Sequence, residues 1–195
     1  RGCTPVNQAI LNRDGETGIT VQKIAQGMDE GDILAQETVR LDGTETAGSL
    51  LMYSAEHGAA LLRSVIEQTA QNGSLPEGKA QTGVPSYTSV ITKENGKIDW
   101  NHSAPEIDAQ IRAYTPEPAC WTMEHGVPLR ILTAHLSADP GTGAAESEKK
   151  DAGTVIGFDK KQGILIQTGN GVLAVTMLQR QGKKAMDAVS FMNGA

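Results

Sequence analysis

This chain has little of what a disulfide-stapled or metal-binding module depends on. Its 195 residues include 2 cysteines, Cys3 and Cys120, too far apart for a paired-cysteine zinc motif or a disulfide framework. The 4 histidines, His57, His102, His125 and His135, show no ligand spacing such as His-x-x-x-His, so no metal is expected. No apolar run approaches the ~18 residues of a membrane helix, and no membrane partner is expected. There is no excess of positive charge either: the formal net charge is -6, awkward for a protein that binds nucleic acid. The opening Arg1-Gly2-Cys3-Thr4-Pro5 has neither an initiator Met nor the apolar core of a signal peptide. The expectation is a chain cut from a longer polypeptide that works in a reduced, cytoplasmic setting.

What is present fits a globular protein of one or two domains, with 38% hydrophobic and 21% charged residues. The negative charge is unevenly spread. Residues 1–96 hold 7 basic and 12 acidic side chains, whereas residues 97–195 hold 10 and 11. Lys149-Lys150, Lys160-Lys161 and Lys183-Lys184, with Arg180 nearby, all fall in the second half. Such pairs are either a local face for phosphates or ordinary solvated loops, and composition alone favours the loops.

Thr4-Pro5 reads as a helix start, and a short apolar face over Val6, Ala9 and Ile10 ends near Asn12-Arg13-Asp14-Gly15. Two strands follow, one over Ile19, Val21 and Ile24 and one over Ile33, Leu34, Val39 and Leu41. A long helix is predicted over 46–71, with Leu50, Leu51, Ala55, Ala59, Leu62, Val65, Ile66 and Thr69 as its apolar stripe and Asn72-Gly73 as its stop. Residues 74–96 carry turn chemistry without periodicity and read as a linker packed along a surface. A short helix over 104–114 is stopped by Pro116 and Pro118. Strands are then predicted over 119–123, 129–134, 154–157, 163–168 and 172–178, with Gly169-Asn170-Gly171 as a hairpin turn and 137–152 as a mobile loop. Five short strands with tight turns predict a small barrel.

The candidate chemistry lies in the turn between the first two strands. Asp29, Glu30 and Asp32 fall within four residues around Gly31. Crowded carboxylates oppose one another's ionisation, which suits proton transfer near neutral pH. The cluster lacks the extended alternation of a calcium loop. Taken by residue type, a solvated acidic turn stays the commoner outcome, and the choice is open at this level.

Thr17-Gly18-Ile19-Thr20 followed by Met28-Asp29-Glu30-Gly31-Asp32 resembles, in order and spacing, the segment of the folate-dependent formyltransferases that carries a catalytic aspartate. The resemblance gives that role to Asp29 and a structural one to Asp32. Arg1-Gly2-Cys3-Thr4-Pro5-Val6 is similar to the second half of an upstream family segment, which implies substrate binding by Arg1 and Gly2. The first half of that segment holds an Asn and a His that have no counterpart among these residues. Gly96-Lys97-Ile98-Asp99-Trp100, Ile111-Arg112-Ala113-Tyr114-Thr115-Pro116 and Gly182-Lys183-Lys184-Ala185-Met186 resemble the branch of the family that acts on methionyl-tRNA.

The resemblance implies the fold: a partial Rossmann-like α/β catalytic domain over 1–73, a linker over 74–96, and an OB-like barrel over 97–195. It implies 10-formyltetrahydrofolate as formyl donor, methionyl initiator tRNA as acceptor, exposed Lys183 and Lys184 toward that tRNA, and a monomeric complete enzyme. Without the Asn and His, residues 1–195 alone are not expected to formylate at a useful rate. Transfer to an amino sugar or another amine, and a non-catalytic RNA-binding module, are the competing expectations. Trp100 and Trp121 are expected in the core, and Arg112 is expected to pair with Asp99 or Glu106 ahead of binding a phosphate.

Overall fold

The computed structural model describes residues 1–137 and 150–194, and these form two compact units, 1–91 and 92–195. The segment predicted as a mobile loop lies mostly outside the described residues, as does Lys149.

The first unit is built from α1 (Pro5–Asn12), β1 (Glu16–Gln22), β2 (Ile33–Arg40) and α2 (Ala47–Asn72). Proline at the start of α1 supplies the fixed φ of a first helical turn, and Arg13 ends it at φ 59, with the Arg13 and Asp14 amides donating back to Ile10 and Ala9 carbonyls. β1 and β2 form an antiparallel hairpin in which Glu16 faces Arg40 and Val21 faces Ala35. Thr46 opens α2 through a reciprocal cap: its hydroxyl accepts the Ser49 amide at 3.1 Å while the Ser49 hydroxyl accepts the Thr46 amide at 3.0 Å. Gly73 closes the helix in the left-handed region.

α2 packs on the hairpin, yet its predicted stripe is only partly covered. Leu50 and Val65 are buried, whereas Leu51 is 53% and Ile66 58% exposed. A two-stranded ribbon is too narrow to cover the whole apolar face of a 26-residue helix. Among the described residues the first unit holds no parallel sheet, so the Rossmann-like element of the expectation is represented by this mixed α/β arrangement alone.

The second unit holds α3 (Ala104–Ala113), β3 (Cys120–Glu124), β4 (Val127–Leu136), β5 (Val155–Asp159), β6 (Gly163–Gln167), β7 (Val172–Arg180), β8 (Met186–Asp187) and α4 (Ala188–Met192). The strands form one antiparallel sheet in the order β3-β4-β7-β6-β5. β7 pairs with β4 along one edge and divides the other between β6, opposite residues 172–175, and β8, opposite Met177 and Leu178. The predicted closed barrel is therefore corrected. β3 and β5 end the sheet without pairing to each other among the described residues, and the result is an open sheet with shifted register within β4 and β5.

α3 seals this sheet. Its start is fixed by the Glu106 carboxylate on the Ser103 amide at 2.8 Å and by the Ala104 amide on the Asn170 carbonyl at 2.9 Å. Ile107 and Ile111 then enter a core shared with Ile131, Leu173 and Val175, all at most 1% exposed. Gly169 is demanded by close approach, because its amide donates to the Trp100 and His102 carbonyls and a Cβ there would overlap the Asn101 carbonyl. β8 and α4 were not predicted. Asp187 caps α4 by accepting the Ser190 amide at 2.7 Å, and that Asp-x-x-Ser spacing was a readable signal.

Cys120 lies in the core at 0% exposure, and burial pushes its thiol up to about 12. Cys3 is exposed. A thiol titration at neutral pH should consequently find one reactive cysteine in the folded chain and two in denaturant. Rapid labelling of both without denaturant would contradict this core.

Candidate active site

The turn at residues 23–32 owes its shape to contacts made from outside it. The Lys23 amide donates to the Asp32 carbonyl at 2.9 Å, continuing the β1–β2 ladder by one rung. Gly31 lies buried beneath it, and any Cβ at that position would overlap the Lys23 carbonyl oxygen. The chain thus passes through Gly31 because a side chain has no room there. Asp29 stands two residues before it at φ 59, a left-handed conformation that aspartate tolerates better than most residues.

Asp29 is half-buried. Its Oδ2 accepts the backbone N–H of Gly2 at 3.0 Å, and the Gln22 carboxamide reaches its Oδ1 at the long distance of 3.5 Å. Gly2 itself sits at φ 100 against Thr88, where a Cβ would come within 2.7 Å of the Thr88 carbonyl. Thr88 locks that segment in place: its amide donates to the Arg1 carbonyl and its hydroxyl accepts the Thr4 amide, both at 2.9 Å.

Gln81 ties the turn together and was not expected from the sequence. Its Nε2 lies 2.9 Å from the Asp29 carbonyl, 2.8 Å from the Gly31 carbonyl and 3.0 Å from Gln22 Oε1. Arg1 in turn donates to Gln81 Oε1 at 2.9 Å and to the Tyr87 hydroxyl at 3.2 Å, and lies 3.6 Å from Glu30. A glutamine in a segment without periodicity carries no local signal of this role. The backbone of residues 79–88 is joined to the rest of the first unit through bridges between Ile33 and Lys79 and between Gly2 and Thr88.

Of the site residues proposed from sequence, Arg1, Gly2 and Asp29 come together here. Asp32 points to Lys23 at 3.9 Å. Lys183 and Lys184 are exposed in the second unit, on the turn after β7, where Gln179 holds the Lys183 carbonyl at 2.9 Å. Arg112 pairs with Asp108 at 2.8 Å, one helical turn back. Trp100 donates to the Thr122 hydroxyl at 3.0 Å. A carboxylate held at one oxygen by a backbone amide keeps acceptor capacity at the other, beside a pocket of about 200 Å³ lined by Gln22, Ile24, Met28 and Gly31. That arrangement can take a proton from, or orient, a bound amine.

Residues 90–195 match the family model described as formyl transferase, C-terminal domain, and residues 1–66 match that described as formyl transferase. The chain belongs to the formyl transferase family. Among curated relatives, a methionyl-tRNA formyltransferase of Treponema denticola is 42% identical over 196 residues, covering 100% of this chain and 60% of the relative. The methionyl-tRNA formyltransferase of Treponema pallidum (strain Nichols) is 38% identical, covering 100% of this chain and 59% of the relative. The chain therefore spans about three-fifths of the length of these relatives. Among solved structures, HypX from Aquifex aeolicus in complex with tetrahydrofolic acid superimposes with TM-score 0.71 at 16% identity, over 98% of this chain and 32% of HypX. WlaRD, a sugar 3N-formyl transferase, superimposes with TM-score 0.65 at 24% identity, over 94% of this chain and 62% of WlaRD. These two share the formyl transferase fold with the present chain.

Within that fold, the Asp29 turn depends on Gly31 having no side chain, because the Lys23 carbonyl occupies the place of a Cβ. Gly31→Ala should force the Lys23 carbonyl away and destabilise the first unit by about 1–3 kcal/mol, the usual effect of overfilling a packed site. Urea unfolding followed by amide exchange in β1 and β2 reads this. Unchanged exchange at Gln22 and Lys23 would show that the turn tolerates a side chain.

Proposed function

We propose that this chain carries the acid–base carboxylate and the tRNA-facing unit of a methionyl-tRNA formyltransferase. The observation that carries the reading is the Asp29 carboxylate held by the Gly2 amide inside a turn braced by Gln81, in a chain whose curated relatives bear that name. The substrates are 10-formyltetrahydrofolate and methionine esterified to initiator tRNA. They fit the chemistry of a carboxylate with one oxygen fixed and the other able to accept a hydrogen bond.

The methionyl amine attacks the formyl carbon of the donor, and a C–N bond forms as the carbonyl π electrons move to oxygen. The nitrogen becomes cationic and gives a proton to Asp29. When the tetrahedral centre collapses, the bond from carbon to the folate nitrogen breaks, and the proton on Asp29 passes to that leaving nitrogen. Proton count and charge thus close over the cycle, with Asp29 returning to carboxylate. Arg1 and Gly2 take a binding role beside Asp29, and Arg1 braces the turn through Gln81. The Asn and His of the family pattern supply donors to the oxyanion. A donor of that kind is worth about 10²–10³ in rate, so the 195 residues alone are expected to be inactive.

In this reading residues 1–73 belong to the catalytic domain, 74–96 connect it, and the sheet of residues 97–195 faces the tRNA, with Lys183 and Lys184 on phosphates. Lysine contacts of that type set affinity and salt dependence without reading bases.

The test is formyl transfer to methionyl initiator tRNA by the full-length protein containing this chain. Asp29→Asn keeps an oxygen for the Gly2 amide and loses the base. It should lower kcat by about 10²–10⁴-fold with little change in tRNA affinity. Wild-type transfer to an amino sugar but not to methionyl-tRNA would replace the acceptor in this reading. Full activity of Asp29→Asn would remove Asp29 from the mechanism.

A further inference from the structure

A groove of about 420 Å³ in the second unit has no part in the Asp29 turn. Its floor is a single row across three strands. Trp121 on β3 stands opposite Arg130 on β4, and Arg130 stands opposite Gln179 on β7, so the three side chains share one face of the sheet. Pro128, two residues before Arg130 on the same strand, lies on that face too, and Pro118 and Lys183 complete the walls.

The aromatic ring and one charge at the groove edge are held in place. Trp121 Nε1 donates to the Lys93 carbonyl at 3.0 Å, which fixes the indole plane. Lys97 brings its ammonium 5.8 Å from the ring centroid. Arg180 at the groove edge packs 4.3 Å from the Phe191 ring and pairs with Glu124 at 3.4 Å. The charged residues lining the groove are four cations, Lys93, Arg130, Lys183 and the Glu124-paired Arg180, against one carboxylate, Glu94. In a chain of net charge -6 this is a local reversal of sign.

Cations beside a fixed aromatic face and a carboxamide match the chemistry of a nucleotide. Phosphate oxygens meet guanidinium and ammonium, a base stacks on the indole, and an amide reads a base edge. We infer that this groove takes an unpaired nucleotide of the RNA partner, its base against Trp121 and its flanking phosphates on Arg130 and Lys183. The inference rests on the tRNA reading above and says where on the second unit the partner is gripped. A paired base presents its stacking face to its neighbours, so the site selects a loop or a single-stranded end over a continuous duplex.

The test is binding of the 195-residue chain to methionyl initiator tRNA and to a short single-stranded oligoribonucleotide, with a blunt RNA duplex of equal length as comparison. Tryptophan emission and the salt dependence of Kd are both read. Arg130→Gln combined with Lys183→Gln should weaken the single strand about tenfold or more and flatten its log–log salt slope by about 1.4, the share of two phosphate contacts. Trp121→Leu should weaken it by about tenfold with the salt slope unchanged, the signature of lost stacking. Lys160→Gln combined with Lys161→Gln, in the exposed β5–β6 turn of the same unit, should leave Kd within about twofold. If Trp121→Leu does not fold, the Arg130 and Lys183 substitutions decide alone, since both side chains are on the surface row and turn.

Equal weakening by the Lys160 and Lys161 pair would mean diffuse attraction and would overturn the groove. So would duplex binding as tight as single-strand binding. Groove variants that leave Kd for tRNA unchanged, while the full-length protein still formylates methionyl-tRNA, sink this inference and leave the proposed function standing. If the unsubstituted chain binds no RNA and the full-length protein does not formylate methionyl-tRNA, both fall.

Discussion

A carboxylate at the tip of a β-turn is mobile unless something beyond the turn holds it, and in this chain the Gly2 amide does so. The 3.0 Å bond from Gly2 to Asp29 brings the first residues of the chain onto the β1–β2 turn. It requires a residue at Gly2 that accepts φ 100 and leaves room for Thr88. Gln81 completes the arrangement from a third segment by binding the backbone carbonyls on either side of the turn tip, at Asp29 and Gly31. Three pieces of chain, distant in sequence, thus converge on one side chain. A loop residue is thereby given a fixed geometry, as the proposed proton transfer would need.

The second unit solves a different problem. Its sheet is sealed by α3 through Ile107 and Ile111, and β7 serves as the central strand that three others share. The β3, β4 and β7 rows place Trp121, Arg130 and Gln179 side by side on one face. Four cations of this unit, Lys93, Arg130, Arg180 and Lys183, line one groove, although residues 97–195 as a whole are nearly neutral. Net charge alone says little about partners, because charge acts through its local arrangement.

Much of the local structure was legible. Thr46 and Asn72-Gly73 bracket α2 as predicted, since a hydroxyl N-cap and a glycine stop act within a turn of themselves. Strands β3 to β7 of the second unit were found within a few residues because alternation and turn residues are also local, whereas the two-residue β8 was missed. Closure of the sheet was not legible. It depends on whether two distant edges pair, and register shifts inside β4 and β5 leave no mark in the period of the sequence. Asp29, Arg1 and Gly2 were singled out through the family resemblance, whereas Gln81, which joins Arg1 to the Asp29 carbonyl, lies in a segment read only as turns. Its partners are 50 to 80 residues away in sequence, and no spacing announces them.

The central claim is that the braced turn acts through the Asp29 carboxylate. A double-mutant cycle on kcat in the full-length protein, with Gln81→Leu, Asp29→Asn and the pair, tests it most directly. The account predicts that Gln81→Leu slows formyl transfer in the wild-type background and adds almost nothing once Asp29 is asparagine. Independent, additive losses would show that Gln81 serves the fold or another group, and that the turn is not a device for holding Asp29.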